Sequence, residues 1–461
     1  MQYQVKITDA DYRNLQELIW AKKGIESAAF LLAGARMSSD KTTLLVRRIV
    51  QIPDTEYRKR TGNHIELSSR AVNGLAALCE ANSLTALLAH SHPYESPYSP
   101  SDDYGEGRIA QSLRPYTPIS EIGSLLFTPK SIHGRVWTAE RPSPIGIDRI
   151  TIVGRSIKIV ELSDDSTGTA GDDFQLHSRQ IMAFGKDGQR SLARLKVGIV
   201  GVGGTGSSIA EQLVRLGVKK LTVIDFDDLE LSNISRVYGS RARDAQFPWW
   251  LRYRKAMKKV DVVAKYLRQI MPDVAINAVC GNVTNRDVAE LLLDLDVLFA
   301  CTDEHWGRSI INQIACQYLI PMLNVGMAIK SSEGKLEFGV GNVQLVRPGQ
   351  GCLWCGGYLD SERIRAESLS SLERDNLVNE GYLGEIDEQA PSVISVTTTI
   401  AALAVTWFIQ LATDFAGSYS EYSRQNYDLL HGTVRRGLTP SDEACICRLV
   451  QSRGDLEPLP L

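Results

Sequence analysis

Two histidines one residue apart, in His90-Ser91-His92-Pro93, can point to the same side of an extended chain. A downstream aspartate can complete a three-ligand metal set that leaves one coordination position for water, and His90, His92 and Asp102 are the ligands expected here. Zinc held there lowers the pKa of bound water toward about 7, and an outer carboxylate can take the proton and deliver it to a leaving amine. Glu26, in Ile25-Glu26-Ser27 ahead of the apolar run Ala28–Leu32, is the candidate for that carboxylate. The chemistry is amide hydrolysis.

A second constellation has a different use. Gly201-Val202-Gly203-Gly204-Thr205-Gly206-Ser207 is a loop whose backbone can approach nucleotide phosphates, with Gly201, Gly203, Gly204 and Gly206 as the binding positions. Asp225 follows at the end of the next apolar run, where a carboxylate can accept ribose hydroxyls. Up to this point a dinucleotide-dependent dehydrogenase fits equally well. Arg179, Asn233, Arg236, Lys259 and Asp303 break the tie, because hydride transfer has no use for them. Carboxylate attack on the α-phosphate of ATP brings two anions together, and requires fixed cations and a ligand for Mg2+. Asp303 is the expected magnesium ligand.

Cys352-Leu353-Trp354-Cys355 has zinc-knuckle spacing, and Cys445-Ile446-Cys447 can supply the other two thiolates of a closed structural site. Cys79, Cys280, Cys301 and Cys316 read as buried small hydrophobes. The segment Phe247–Lys255 mixes aromatics with cations, and docking of a partner or a neighbouring subunit is expected there rather than nucleic-acid binding.

The elements that must carry these residues follow from pattern. Thr43–Val46, Leu84–Ala89, Gly123–Phe127 and Gly134–Trp137 read as strands, with helical spacing around Asp9–Lys22 and Ser68–Ala81, so residues 1–162 form a mixed α/β domain. The small and acidic residues 163–173 read as a linker. In 174–461, a strand at Lys196–Val200, the glycine loop, a helix at Ser207–Leu216 and a strand at Lys220–Ile224 make a βαβ unit. Val297–Ala300 and Pro321–Val325 extend it into a doubly wound, Rossmann-like sheet. Val393–Ala412 carries no charge and is long enough to cross a bilayer, but its three consecutive threonines and lack of flanking basic clusters predict a buried core helix.

The 461 residues exceed one ordinary core, and a net charge of -3 gives no electrostatic case for nucleic acid or anionic lipid. Nothing at Met1–Lys6 reads as a secretory signal, and the sparse cysteines suit a reduced compartment, so the cytoplasm is expected.

The first motif set resembles the JAMM (JAB/MPN) metalloprotease family, whose pattern is a distant Glu, then His-x-His, then Ser-x-x-Asp. Ser99-Pro100-Ser101-Asp102 satisfies the last part, and the resemblance implies that Ser99 stabilises the tetrahedral oxyanion. The gap from His92 is one residue shorter than usual, which selects Asp103 instead, so the third ligand is Asp102 or Asp103. Asp102 is preferred because it keeps Ser99.

The second set looks like the E1/ThiF/MoeB family, which adenylates the C-terminal glycine of ubiquitin-like proteins. The resemblance runs from Leu176 to Cys447. Ser178-Arg179-Gln180 matches the arm whose arginine reaches a partner subunit's ATP site, Asp225-Phe226-Asp227 with Ser232–Arg236 matches the nucleotide motif, Lys259 falls where the catalytic lysine falls, and Cys301-Thr302-Asp303 matches the magnesium motif. Two departures stand out. Cys-x-Cys is tighter than the usual second zinc pair, and residues 356–391, where a thioester-forming cysteine lies in related enzymes, contain no cysteine.

Together the resemblances imply a bifunctional enzyme of a bacterial-type ubiquitin-like pathway, using ATP, Mg2+ and Zn2+. It would act as a homodimer through the adenylating domain on a glycine-ended ubiquitin-like protein, with an E2-like partner and no membrane or nucleic acid. Sulfur-carrier activation and a modifier-binding scaffold are the alternatives.

Overall fold

Alternation along Gln2–Thr8 buries Tyr3, Val5 and Ile7, and this first strand, β1, seeds a sheet that the sequence reading had not started so early. The computed structural model describes residues 1–162, 175–245, 256–370, 373, 391–417 and 421–461, and these fall into two units. The linker 163–173 and the segment Phe247–Lys255 lie outside the described residues.

The first unit comprises Met1–Thr169 with Gln317–Leu319 and Val450–Pro458. After β1 come helix α1 (Asp9–Ile19), β2 (Ala28–Met37), β3 (Lys41–Gln51), the short pair β4 (Tyr57–Arg60) and β5 (Ile65–Leu67), then α2 (Ser69–Asn82) and β6 (Thr85–Ser91). Then follow α3 (Pro100–Leu113), β7 (Ile122–Phe127), β8 (Ile132–Trp137), β9 (Ile145–Gly146), β10 (Arg149–Val153) and β11 (Ile157–Glu161). Nine strands form one mixed sheet in the order β11-β10-β1-β3-β2-β6-β7-β8-β9. Its two faces are covered differently. Val5, Leu31, Ala89 and Phe127 pack with Leu15 and Ile19 of α1, while Phe30, Leu32, Leu88 and Trp137 pack with Leu75 and Cys79 of α2 and Ala110 and Leu113 of α3. β6 is buried along its whole length, so everything it presents at its end is shielded from water.

Strand β2 pairs with β6 only over 28–33, which leaves the edge of residues 34–37 open on that side. Gly454 bridges Ala35 there in parallel, and the Asp455 N–H donates to the Ala35 carbonyl at 2.6 Å. The expectation that everything from 174 to the end forms one domain is therefore corrected for Val450–Pro458. The reason is backbone hydrogen bonding: unpaired strand groups take a partner from wherever the chain supplies one.

The second unit comprises Ala170–Cys316, Ile320–Leu449 and Leu459–Leu461. Helix α4 (Ser178–Arg194) precedes β12 (Lys196–Val200), α5 (Gly204–Arg215), β13 (Lys220–Ile224), α6 (Lys259–Ile270), β14 (Ala275–Val279), β15 (Val297–Ala300), α7 (His305–Gln317), β16 (Met322–Ser332) and β17 (Lys335–Val346). The core helix α8 (Ile394–Thr413) and strands β18 (Arg424–Asp428) and β19 (Thr433–Gly437) complete the sheet region. The strand order is β14-β13-β12-β15-β16-β17-β18-β19, parallel through β16 and antiparallel beyond. The chain reverses direction across the sheet between β13 and β15, on either side of β12, and the loop after β12 sits at that switch point.

Among the described residues α8 is the helix long and apolar enough to cross a membrane. Here it packs on α4, α5, β16 and β17, burying Ile400, Ala404, Trp407, Phe408 and Leu411. A Cβ on Gly341 of β17 would fall 1.9 Å from Ile400 Cδ1, so the glycine lets the helix lie close on the strand.

Candidate functional site

In the first unit, the register of β2 against β6 places Ala28 opposite His90, which brings the residues just before β2 beside the end of β6. Ser91 zips the two together: its N–H donates to the Ser27 carbonyl at 3.0 Å, and its hydroxyl receives the Ser27 N–H at 3.2 Å. With Ser91 turned to that side, His90 and His92 share the other, their ring centroids 5.1 Å apart. Arg60 donates from Nε to the Glu26 carbonyl at 2.9 Å, fixing the backbone that aims the Glu26 side chain.

Asp102 enters from α3. It is the third residue of that helix, and Ser99 is the N-cap in a reciprocal capping box. One carboxylate oxygen of Asp102, Oδ1, lies 3.7 Å from His90 Nε2, and the other, Oδ2, lies 3.5 Å from His92 Nε2. Glu26 Oε1 is 3.6 Å from the same nitrogen of His92. The donor atoms of His90, His92 and Asp102 all lie within 4.8 Å of one another, and His90 Nε2 is buried without a hydrogen-bond partner. A buried orphan nitrogen facing a carboxylate across a gap too long for a hydrogen bond suits a cation between them. The three donors are those zinc takes.

Asp103, the other possible ligand, is turned away and paired with the Arg135 guanidinium. Ser99 is occupied differently from what the resemblance implies: its hydroxyl donates to Asp102 Oδ2 at 2.7 Å and its N–H donates to the same oxygen at 2.6 Å. The hydroxyl therefore orients the Asp102 carboxylate as it caps the helix.

The electrostatics separate the carboxylates. Burial pushes Glu26 up to about 7, with His92 opposing and Asp102 adding to the rise. Burial acts against Asp102 too, yet the His92 and His90 rings and the two Ser99 donors outweigh it and hold that carboxyl well below its usual range. Burial lowers His90, whereas His92 is raised against its burial by Asp102, Glu26 and Ser96. The result is one firmly ionised carboxylate and one carboxyl poised near neutrality.

Residues that the sequence reading missed surround this cluster. Ser96 accepts at His92 Nδ1, with Oγ at 2.9 Å and the carbonyl at 3.2 Å. Glu106, one helical turn after Asp102, places Oε1 3.6 Å from His90 Nδ1. The i, i+4 spacing was visible, but a glutamate on a helix gives no sign of burial until the helix is docked.

In the second unit, the phosphate loop is knitted to its surroundings. Gly201 has φ +88°, and a Cβ there would fall 2.7 Å from the Cys301 carbonyl. A Cβ on Gly206 would fall 1.9 Å from the Gly201 carbonyl oxygen, so both positions require glycine. Helix α5 starts at Gly204 with Gly203 as N-cap, three residues ahead of the expected Ser207, which puts the loop's last glycines into the first turn with its free N–H groups. The Arg236 stem lies over Gly204. Asp225 accepts from the Val202 N–H at 2.8 Å and the Asp227 N–H at 3.0 Å, tying the loop to the end of β13.

Lys259, the first residue of α6, donates from Nζ to Asp227 Oδ2 at 2.5 Å and from its N–H to the Asp227 carbonyl at 3.1 Å. Burial raises Asp225, and the Lys259 charge pulls the other way. Asn233 is buried, and its Oδ1 receives the Glu230 N–H at 3.2 Å. Asp303 stands exposed past the end of β15, next to Glu304, whose carboxyl is raised by burial and by the charges of Asp303, Glu367 and Asp227. Arg179 is exposed in the first turn of α4 and takes no part in the contacts that bind the loop.

The four cysteines of the two close pairs come together, with Sγ separations of 3.8 Å for Cys352–Cys355, 3.6 Å for Cys352–Cys445 and 3.7 Å for Cys355–Cys447. Sulfurs about 2.3 Å from a central zinc in a tetrahedron have edges of about 3.8 Å, so this set fits zinc despite its Cys-x-Cys pair. The other cysteines divide. Cys79 and Cys316 are buried, and burial pushes Cys301 up to about 12. Cys280 corrects the expectation: it is exposed, because it follows β14 at the sheet's edge.

Comparison with known proteins bears on the second unit. The profile of the ThiF family matches residues 177–449. The chain is 30% identical over 153 residues to ubiquitin-like modifier-activating enzyme 5 of Bombyx mori, covering 31% of this chain and 36% of that protein. It is 30% identical over 168 residues to adenylyltransferase and sulfurtransferase uba4 of Emericella nidulans, covering 36% of this chain and 32% of that protein. The chain thus spans about a third of the length of these curated relatives. Among solved structures, E. coli MccB is similar at a TM-score of 0.47 and 16% identity, covering 63% of this chain and 75% of that one.

Proposed function

The chain belongs to the ThiF family, and from that premise we propose a bifunctional enzyme of a bacterial-type ubiquitin-like pathway. The second unit adenylates the C-terminal glycine of a ubiquitin-like protein. The observation that carries this reading is the linkage of the glycine loop, Asp225, Asp227 and Lys259 at the switch point of the sheet, with Arg236 over the loop's helix. In the reaction a carboxylate oxygen of the substrate bonds to the α-phosphorus of ATP, and pyrophosphate leaves with the bonding electrons. Arg236 and Lys259 hold the phosphate charge, the α5 N-terminus receives phosphate oxygens, and Asp303 would hold the magnesium ion. Pyrophosphate exchange into ATP, measured with a panel of glycine-ended ubiquitin-like proteins, tests it. Bound ATP without exchange for any of them would overturn the assignment.

The first unit, on the same reading, is a JAMM-type amidase for bonds at that glycine. His90, His92 and Asp102 would hold a zinc ion, which supplies Lewis acidity in the buried pocket. Glu26, poised near neutrality, moves a proton between attacking water and the leaving amine. Glu26→Gln is expected to keep zinc and lose cleavage of a glycine-linked fusion by about 10²–10⁴-fold. The Cys352, Cys355, Cys445 and Cys447 zinc is structural. A cytoplasmic location, a homodimer formed through the second unit, with Arg179 serving the partner's nucleotide, and an E2-like partner belong to the same proposal.

Sulfur-carrier activation is the second reading. It is favoured by the likeness to a relative named as an adenylyltransferase and sulfurtransferase, and by the absence of any cysteine in residues 356–391. Mass spectrometry of the modifier after turnover separates the two: a terminal thiocarboxylate supports the second, an amide-linked conjugate the first.

A further inference from the structure

We propose that Glu106 is a positioning residue for the metal site: it presents its carboxylate to Nδ1 of His90 and so holds Nε2 of that ring toward the ion. The proposal rests on the reading of His90, His92 and Asp102 as zinc ligands. The His90 ring has a carboxylate at each nitrogen. Nε2 faces Asp102 at 3.7 Å, and Nδ1 faces Glu106 Oε1 at 3.6 Å. A ligating histidine characteristically presents its second N–H to a carboxylate, which fixes tautomer and ring orientation, and at 3.6 Å Glu106 holds that place as a charge contact just beyond hydrogen-bond length. His92 already has such an acceptor in Ser96, so without Glu106 only one of the two rings would be braced.

Glu106 is itself held more tightly than a helix glutamate normally is. Oε2 receives Arg135 Nε at 2.8 Å and Trp137 Nε1 at 3.2 Å, and Oε1 receives the Ser124 hydroxyl at 2.5 Å. Arg135 also pairs with Asp103 and lies 3.6 Å over the Tyr98 ring, which in turn meets the His90 ring edge-on. Arg135 on β8 thus grips α3 at two points a turn apart, Asp103 and Glu106, both just after Asp102. A carboxylate and a guanidinium buried this deeply cost desolvation, and an apolar pair of similar volume would pack at no loss. That the pair backs a metal ligand gives it a use that packing alone does not require.

The test is zinc affinity in the full chain, read by competition with a chromogenic chelator, with the four-cysteine zinc as an internal reference. Glu106→Gln is expected to weaken the first-unit zinc roughly 10–100-fold and leave the reference zinc unchanged. Glu106→Met combined with Arg135→Met removes both buried charges together and should weaken it by the same factor, which answers the case in which Glu106→Gln fails to fold. Wild-type affinity in a folded variant overturns the positioning role while the zinc reading stands. A wild-type chain that takes up only the four-cysteine zinc overturns both. Cobalt substitution adds an independent readout: the visible band of the first-unit site should shift in Glu106→Gln.

Discussion

At Asp102 both oxygens are engaged: Ser99 supplies two donors to one of them, and the two divide between the histidines. Its neighbour Asp103 is 57% exposed and spends its charge on Arg135. The two aspartates therefore predict opposite phenotypes. Asp102→Asn should abolish zinc binding by the first unit, measured as one zinc per chain instead of two, whereas Asp103→Asn should keep both zincs and change stability by about 0–1 kcal/mol. Equal zinc loss in both variants would contradict the geometry. In the second unit Lys259 is the cation tied to the loop through Asp227. Its replacement by alanine is expected to slow pyrophosphate exchange by about 10²–10³-fold, the scale of losing one fixed charge at a transition state. Exchange at the wild-type rate would remove Lys259 from the reaction. The sequence could list these candidates because short motifs keep their donors within a few residues. Adjacent aspartates, however, differ by a rotation of about 100° on a helix, and only the docked helix says which one faces inward.

The elements explain why the candidates arrive in register. Strand β6 and the residue just past its end deliver two histidines because successive residues alternate sides, and α3 delivers Asp102 because a serine cap starts the helix three residues earlier. In the second unit the fixed points are the loop and α8. Gly206→Ala would drive a methyl into the Gly201 carbonyl, so the loop should reshape and ATP binding should fall below detection in calorimetry, even though α5 gains a better helix former. Trp407 of α8 is fully buried and donates to Gln425 Oε1 at 3.0 Å. Trp407→Ala should destabilise the second unit by roughly 3–5 kcal/mol in urea unfolding, and a shift below 1 kcal/mol would mean the helix is not the core element its burial indicates. Strands β12, β13 and β15 are legible in sequence because parallel central strands are continuous apolar runs. Strands β17 to β19 were missed, being half-exposed, where alternation is broken by long polar side chains, and β1 was missed because Gln2, Gln4 and Lys6 keep a largely buried strand from reading as an apolar run.

On the scale of the molecule, each candidate site lies within one unit. The C-terminal segment returns to the first unit, where Gly454 and Asp455 pair with the open edge of β2 and Met37 N–H reaches Asp455 Oδ2 at 2.7 Å. A chain ending at Leu449 should therefore unfold its first unit at lower temperature, with about 1–3 kcal/mol lost for each buried backbone group left unpaired, and should self-associate through that edge. Unchanged melting and a wild-type elution volume would contradict this.

The amino-acid sequence by itself determined the α/β class, the glycine loop with its strand and helix, and the short motifs proposed for metal and phosphate, because all of these depend on neighbours within a few residues. Tertiary structure alone decided which aspartate faces the histidines, that Glu106 stands behind one of them, that four cysteines about 90 residues apart meet at zinc-like spacing, and that Gly454 and Asp455 pair with the open edge of β2. Those outcomes depend on which faces are buried against one another, and burial is a property of the packed chain that no local spacing encodes.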